Sequence, residues 1–145
     1  MGLDMFLNGK RFLWAHKNEN KKFDVDGLVP DFMELNGLRT EVKYWRKSNA
    51  IHGWFVEHVQ HGEDDCDEYE VSIKKLKELR DRCAKVLELG QDGIDLLPPT
   101  HGFFFGSDQA DEWYFQDLKE TVERLDQVLA MPDVEHWEFT YQSSW

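Results

Sequence analysis

The densest group of chemistry-bearing side chains is Tyr44-Trp45-Arg46-Lys47-Ser48-Asn49, followed by His52 and Trp54. Read as a helix over residues 44–60, Tyr44, Ser48, Ile51, Phe55 and Val59 recur at spacings of three and four and form one inward stripe. Trp45, Asn49, His52 and Val56 then run along the adjacent edge, with Arg46 and Lys47 beyond them. Indole and phenol rings stack a flat ring, while guanidinium, ammonium, amide and imidazole groups donate hydrogen bonds to phosphate or carboxylate. The competing expectation is an amphipathic helix whose aromatics fill the core and whose cations pair with nearby acids. Gly53 costs about 1 kcal/mol against Ala inside a helix, and it permits close approach of a second backbone or a ligand.

A second group is His101-Gly102-Phe103-Phe104-Phe105-Gly106-Ser107-Asp108, then Asp111 and Trp113-Tyr114. A glycine-bounded turn that opens a helix exposes backbone N–H groups able to receive an anion. The run has no Gly-Lys-Ser/Thr, so it is no Walker loop. Ser107 or Asp108 is expected to cap the helix, and the Phe triplet to be core or a short strand. A third group, His58, His61, Asp64, Asp65 and Cys66, has metal-binding residue types but neither a zinc spacing nor the ladder of a calcium loop. It is expected to be a solvated acidic loop, and no metal or cofactor is assigned. No G-x-S-x-G occurs, and the carboxylates around Cys66 disfavour its thiolate; no catalytic residue is assigned.

The chain that must position these groups has 145 residues and a formal net charge of -12. Phosphate backbones need positive charge, so nonspecific binding to nucleic acid is not expected. Hydrophobic residues make up 41% and charged residues 32%, which describes one globular domain rather than a disordered chain. Charge is uneven. Residues 1–60 sum to +1, residues 61–105 to -5 and residues 106–145 to -8, so an anion is least repelled by the first segment. No apolar run reaches the roughly 20 residues that span a bilayer, and the start does not read as a secretory signal. Two cysteines are too few for a disulfide framework; Cys83 falls on an apolar helical phase and is expected as a reduced core thiol. A cytoplasmic location is expected.

Apolar runs at Leu3–Leu7 and Lys10–Ala15 flank Asn8-Gly9, a strong hairpin signal. Residues 16–37 read as polar and irregular, and Leu38–Lys43 as a short strand. Ser72 is expected to cap a helix over 73–89 with Ile73, Leu76, Leu79, Cys83 and Val86 inward, stopped by Gly90. A last helix spans about 109–130, and His136–Gln142 alternates as a half-buried strand. The fold class is α+β: about three main helices on a small mixed or antiparallel sheet with an N-terminal β-hairpin. A three-helix bundle with peripheral hairpins is the alternative.

Several blocks are similar to a family of small phage and prophage proteins. They are Met1-Gly2-Leu3-Asp4-Met5-Phe6-Leu7, the run Tyr44 to Val56, Asp64-Asp65-Cys66, and Leu97-Pro98 through Gly102-Phe103-Phe104-Phe105-Gly106 to Asp111-Glu112-Trp113-Tyr114. Phe6 stands where the family has Tyr, and Ser48 where it has Ala. Some members carry the name phosphoglycerate kinase, which a chain this short cannot justify. The resemblance implies expression in the cytoplasm of an infected bacterium and action against host defence. One expected role is capture, without turnover, of a small anionic ligand such as a nucleotide-derived signal. Tyr44, Trp45, Arg46, Lys47, Asn49, His52, His101, Ser107 and Trp113 are the candidate binding residues, at a homo-oligomer interface. A second is an acidic inhibitor of a basic host protein, in the manner of a DNA mimic. A third is a metal-dependent nucleotide hydrolase using Asp64, Asp65, His58 and His61.

Overall fold

The computed structural model describes residues 2–14, 27–102, 106, 107 and 109–145. The expected strand at Phe103–Phe105, the capping role of Asp108, Ala15 and residues 16–26 of the polar stretch lie outside the described residues. In chain order the elements are strands β1 (Asp4–Phe12) and β2 (Gly37–Arg46), helix α1 (Asn49–His58), strand β3 (Tyr69–Val71), helix α2 (Ile73–Leu89), helix α3 (Glu112–Leu129) and strand β4 (Trp137–Ser144). Short 3-10 helices follow α2 at Gly90–Leu96 and precede β4 at Val134–His136. The four strands form one antiparallel sheet in the order β2-β1-β4-β3. With three helices packed on it, this is the expected α+β class. No helix among the described residues is long and apolar enough to cross a membrane.

Strand alternation sets the layers. Leu3, Met5 and Leu7 on β1 side, Trp45 on β2, Val71 on β3, and Phe139 and Tyr141 on β4 point to one face and are buried. Against them pack Ile51, Trp54 and Phe55 of α1, Leu76, Leu79, Cys83 and Val86 of α2, and Tyr114, Leu118, Leu125 and Val128 of α3. Phe55 stacks flat on Tyr141, with ring centroids 3.8 Å apart. The reverse face carries Phe6 against Tyr44 and the ion pairs of Lys10 and Arg39 with Glu68.

The antiparallel N-terminal pair is made by β1 and β2, and Asn8-Gly9 is not its turn. β1 runs straight through these residues, which pair with Glu41 and Thr40 on one side and Thr140 and Phe139 on the other. Gly9 is needed for space: a Cβ there would meet Trp137, Val42 and Thr40 side-chain atoms at 3.1–3.3 Å. The register shifts between Leu7 and Asn8, leaving Val42 as the extra residue of a β-bulge. Arg124 of α3 donates to the Val42 carbonyl at 2.6 Å, satisfying the group that the bulge frees.

The helix expected over 44–60 is half strand. Tyr44, Trp45 and Arg46 continue the ladder opposite Phe6, Met5 and Asp4, because aromatic residues suit a pleated surface and the central strand offers a partner. The chain turns at Lys47, whose φ is +55°, and α1 starts at Asn49. Ile51, Phe55 and Val59 keep the expected inward phase, whereas Tyr44 faces the opposite side of the sheet from Trp45. Helix α2 matches its expected span: Ser72 Oγ accepts from the Lys75 N–H, and Gly90, at φ +64°, follows the last turn. Helix α3 is capped by Asp111, whose carboxylate accepts from the Tyr114 N–H, rather than by Ser107. Tyr69–Val71, beyond the acidic group, pairs with Phe139–Tyr141 in the middle of β4.

Candidate functional site

The junction from β2 to α1 forms one wall of a cavity of about 290 Å³. Arg46 and Lys47 sit at its mouth, and Ser48, Asn49 and Ala50 form its base. Opposite them lie Ser107, Gln109, Asp111, Trp113 and Asp117, brought by the approach to α3 and its first turns. Gly106, at φ +86°, presses on Lys47; a Cβ there would lie 3.0 Å from Lys47 Cβ, so the chain closes this side only with glycine.

Asn49 fixes the geometry. Its Oδ1 accepts from the Thr100 N–H at 3.0 Å, and its Nδ2 donates to the Ser107 carbonyl at 2.6 Å. Both ends of the segment 100–107 are therefore tied to the first residue of α1. Gly53, one turn on, makes room for the same segment: a Cβ there would collide with Thr100 Oγ1. The close approach that this glycine permits is to another backbone of the chain itself.

The cavity has two electrostatic sides. On the first, the Lys47 ammonium forms no ion pair among the described residues, while Arg46, on the same strand face as Tyr44, lies 3.9 Å from Asp4 and also interacts with the Tyr44 hydroxyl. On the other, the Asp117 carboxyl is half-buried, and burial pushes its pKa above the ordinary range. The nearby Ser48 hydroxyl and Lys43 oppose the shift, while Glu120 and Asp111 add to it. Trp113 leaves 70% of its surface in solvent at the rim, a large apolar ring with no core role.

Of the residues singled out by sequence, Arg46, Lys47, Asn49, Ser107 and Trp113 line this one cavity. Tyr44, Trp45, His52 and His101 do not. Tyr44 hydrogen-bonds to Asp4 on the far face of the sheet. Trp45 is buried, its indole N–H donating to Thr121 Oγ1 at 2.8 Å. His101 is exposed outside the cavity. His52 is fully enclosed between Tyr141, whose hydroxyl is 2.6 Å from Nδ1, and Asp64, 2.9 Å from Nε2. Burial lowers the His52 pKa more than Asp64 raises it. The neutral ring thus donates from Nε2 to the carboxylate and accepts from the Tyr141 O–H, a tautomer assigned from its partners. Strand alternation, hidden by the helical reading, is what turns Trp45 inward.

Asp117 and Gln109 escaped the sequence reading. Asp117 lies four residues after Trp113 on α3, so the two share a helix face; that spacing was the available signal. The acidic turn that resembled a metal site is occupied otherwise. Asp64 also accepts from the Trp145 indole at 3.2 Å, and Asp65 from the Tyr69 hydroxyl at 2.7 Å, which lifts the Tyr69 pKa to about 12. His58 packs on Trp54. Among the described residues no three His, Cys, Asp or Glu side chains gather to hold a metal. Cys83 is enclosed, and burial pushes its thiol up to about 12, leaving it inert at neutral pH.

The cavity gathers two basic residues, Arg46 and Lys47, two carboxyl groups, Asp111 and Asp117, the rings of Trp113 and Tyr114, and several hydroxyl and amide groups. No histidine or cysteine lines it among the described residues. Searches against protein-family models, curated proteins and solved structures found no match to this chain.

Proposed function

We propose that this protein binds a small ring-bearing anion of mononucleotide size without turning it over. The observation that carries the reading is the pairing of Arg46 and Lys47 at the mouth of a cavity, in a chain whose net charge is -12. Lys47, with no ion pair among the described residues, and the exposed Arg46, whose approach to Asp4 is long at 3.9 Å, attract anions to the concavity and raise their local concentration. The volume, about 290 Å³, stands at the lower edge of the range of small-molecule sites, roughly 300–1,000 Å³. Trp113 supplies a stacking face on the opposite rim. In an infected bacterium such a protein would sequester a nucleotide-derived defence signal.

The acidic-inhibitor reading has less support. Glu68, Glu120, Asp126 and Asp133 are engaged within the chain by Lys10 and Arg39, Lys43, Arg80 and Arg11 respectively, so part of the acidic surface is already answered.

Titration calorimetry at low salt with the four ribonucleoside monophosphates and inorganic phosphate tests the proposal. Saturable one-to-one binding of at least one nucleotide is expected. Replacing both Arg46 and Lys47 by Ala should weaken it at least tenfold without changing the melting temperature, since both side chains are exposed. Absence of heat with every nucleotide, or full affinity in the double variant, contradicts it.

A further inference from the structure

We propose that the cavity selects a guanine base and that Asp117 is the residue that reads it. The inference rests on the anion-binding reading above and adds the identity of the ring. Arg46 and Lys47 place the anionic end on the β2–α1 side, and Trp113 and Asp117 stand one helical turn apart on the facing wall. A ring lying on the Trp113 indole therefore brings one of its edges toward the Asp117 carboxyl.

A carboxylate accepts through two oxygens, with roughly four lone-pair positions. Near Asp117 the Ser48 hydroxyl favours the charged carboxylate, and the Asn49 amide is engaged by the Thr100 N–H and the Ser107 carbonyl. A half-buried carboxylate with unfilled acceptor positions is costly until donors reach it. Guanine carries two adjacent donors on one edge, N1–H and the 2-amino group, which match the two oxygens in a paired geometry. Adenine and cytosine place a ring-nitrogen acceptor beside their single amino donor, and uracil places its N–H between two carbonyls. Each would set a lone pair against the carboxylate. A site built for hydrogen bonds rejects analogues that leave its buried groups unpaired.

The test compares guanosine, inosine, adenosine, cytidine and uridine monophosphates by calorimetry on the full chain. Guanosine monophosphate should bind at least tenfold tighter than the adenosine, cytidine and uridine compounds. Inosine monophosphate, which lacks only the 2-amino donor, should lose about tenfold against guanosine monophosphate; this arm needs no variant and stands even if one misfolds. Asp117→Asn should weaken guanosine monophosphate at least tenfold and leave adenosine monophosphate within about threefold. Equal affinity for guanosine and adenosine monophosphates, or for guanosine and inosine monophosphates, overturns the base assignment while the anion site survives. A uniform loss across all nucleotides in Asp117→Asn overturns the role of Asp117. No binding of any nucleotide overturns both the assignment and the reading beneath it.

Discussion

The Asn49 side chain donates to the Ser107 carbonyl at 2.6 Å across 58 positions of sequence. With its other amide atom it accepts from Thr100. One buried side chain thus joins the start of α1 to Thr100 and to Ser107, which lines the cavity, so this lining residue also holds the opposite wall in place.

Asn49→Ala should therefore lower both stability and binding. Loss of two hydrogen bonds, one to a partly buried N–H, should lower stability by about 1–3 kcal/mol. Denaturant unfolding measures that cost. Calorimetry should show nucleotide affinity falling at least tenfold at temperatures where the variant remains folded.

Gly53→Ala should destabilise, against the usual helical gain of about 1 kcal/mol for replacing Gly by Ala. The new methyl would collide with Thr100 Oγ1. Thr100→Ala removes that oxygen and should restore most of the loss in the double variant. A double-mutant cycle by thermal unfolding checks this coupling, and strict additivity would show that the two residues do not meet.

His52 gives the fold a pH dependence of known sign. Its pKa in the folded chain lies below the ordinary 6.5, because burial disfavours the charged ring. The unfolded chain binds the proton first, so this contribution is complete above pH 6.5 and is lost as pH falls from there toward the folded value. Urea unfolding between pH 8 and pH 5 should show wild-type stability declining relative to His52→Gln across that window. A difference independent of pH would contradict the enclosed neutral ring.

Helix α2 was legible in full because its apolar phase, its Ser72 cap and its Gly90 stop agree with one another. The run 44–60 was not, because Tyr44, Ser48, Ile51 and Phe55 fit a helical period even though the first belongs to a strand. Only the ladder to β1 decides between the two, and pairing across some forty residues is invisible in a local window. The same limit hid Gly9, whose neighbours Val42 and Trp137 come from β2 and β4. Site residues on the β2–α1 turn were found because charge and ring types cluster there. His52 was misplaced because its partners, Asp64 and Tyr141, are 12 and 89 positions away.

The central claim is that Arg46, Lys47 and Trp113 face a common ligand, and a nuclear magnetic resonance titration reads it most directly. Uniformly nitrogen-15-labelled protein is titrated with guanosine monophosphate while the Trp113 indole N–H and the Arg46 Nε–H are followed. Both should shift along one saturable curve, while the buried indoles of Trp45 and Trp54 stay nearly fixed. No saturable change at either group, or a response confined to Trp14 at the far end of the sheet, would contradict it.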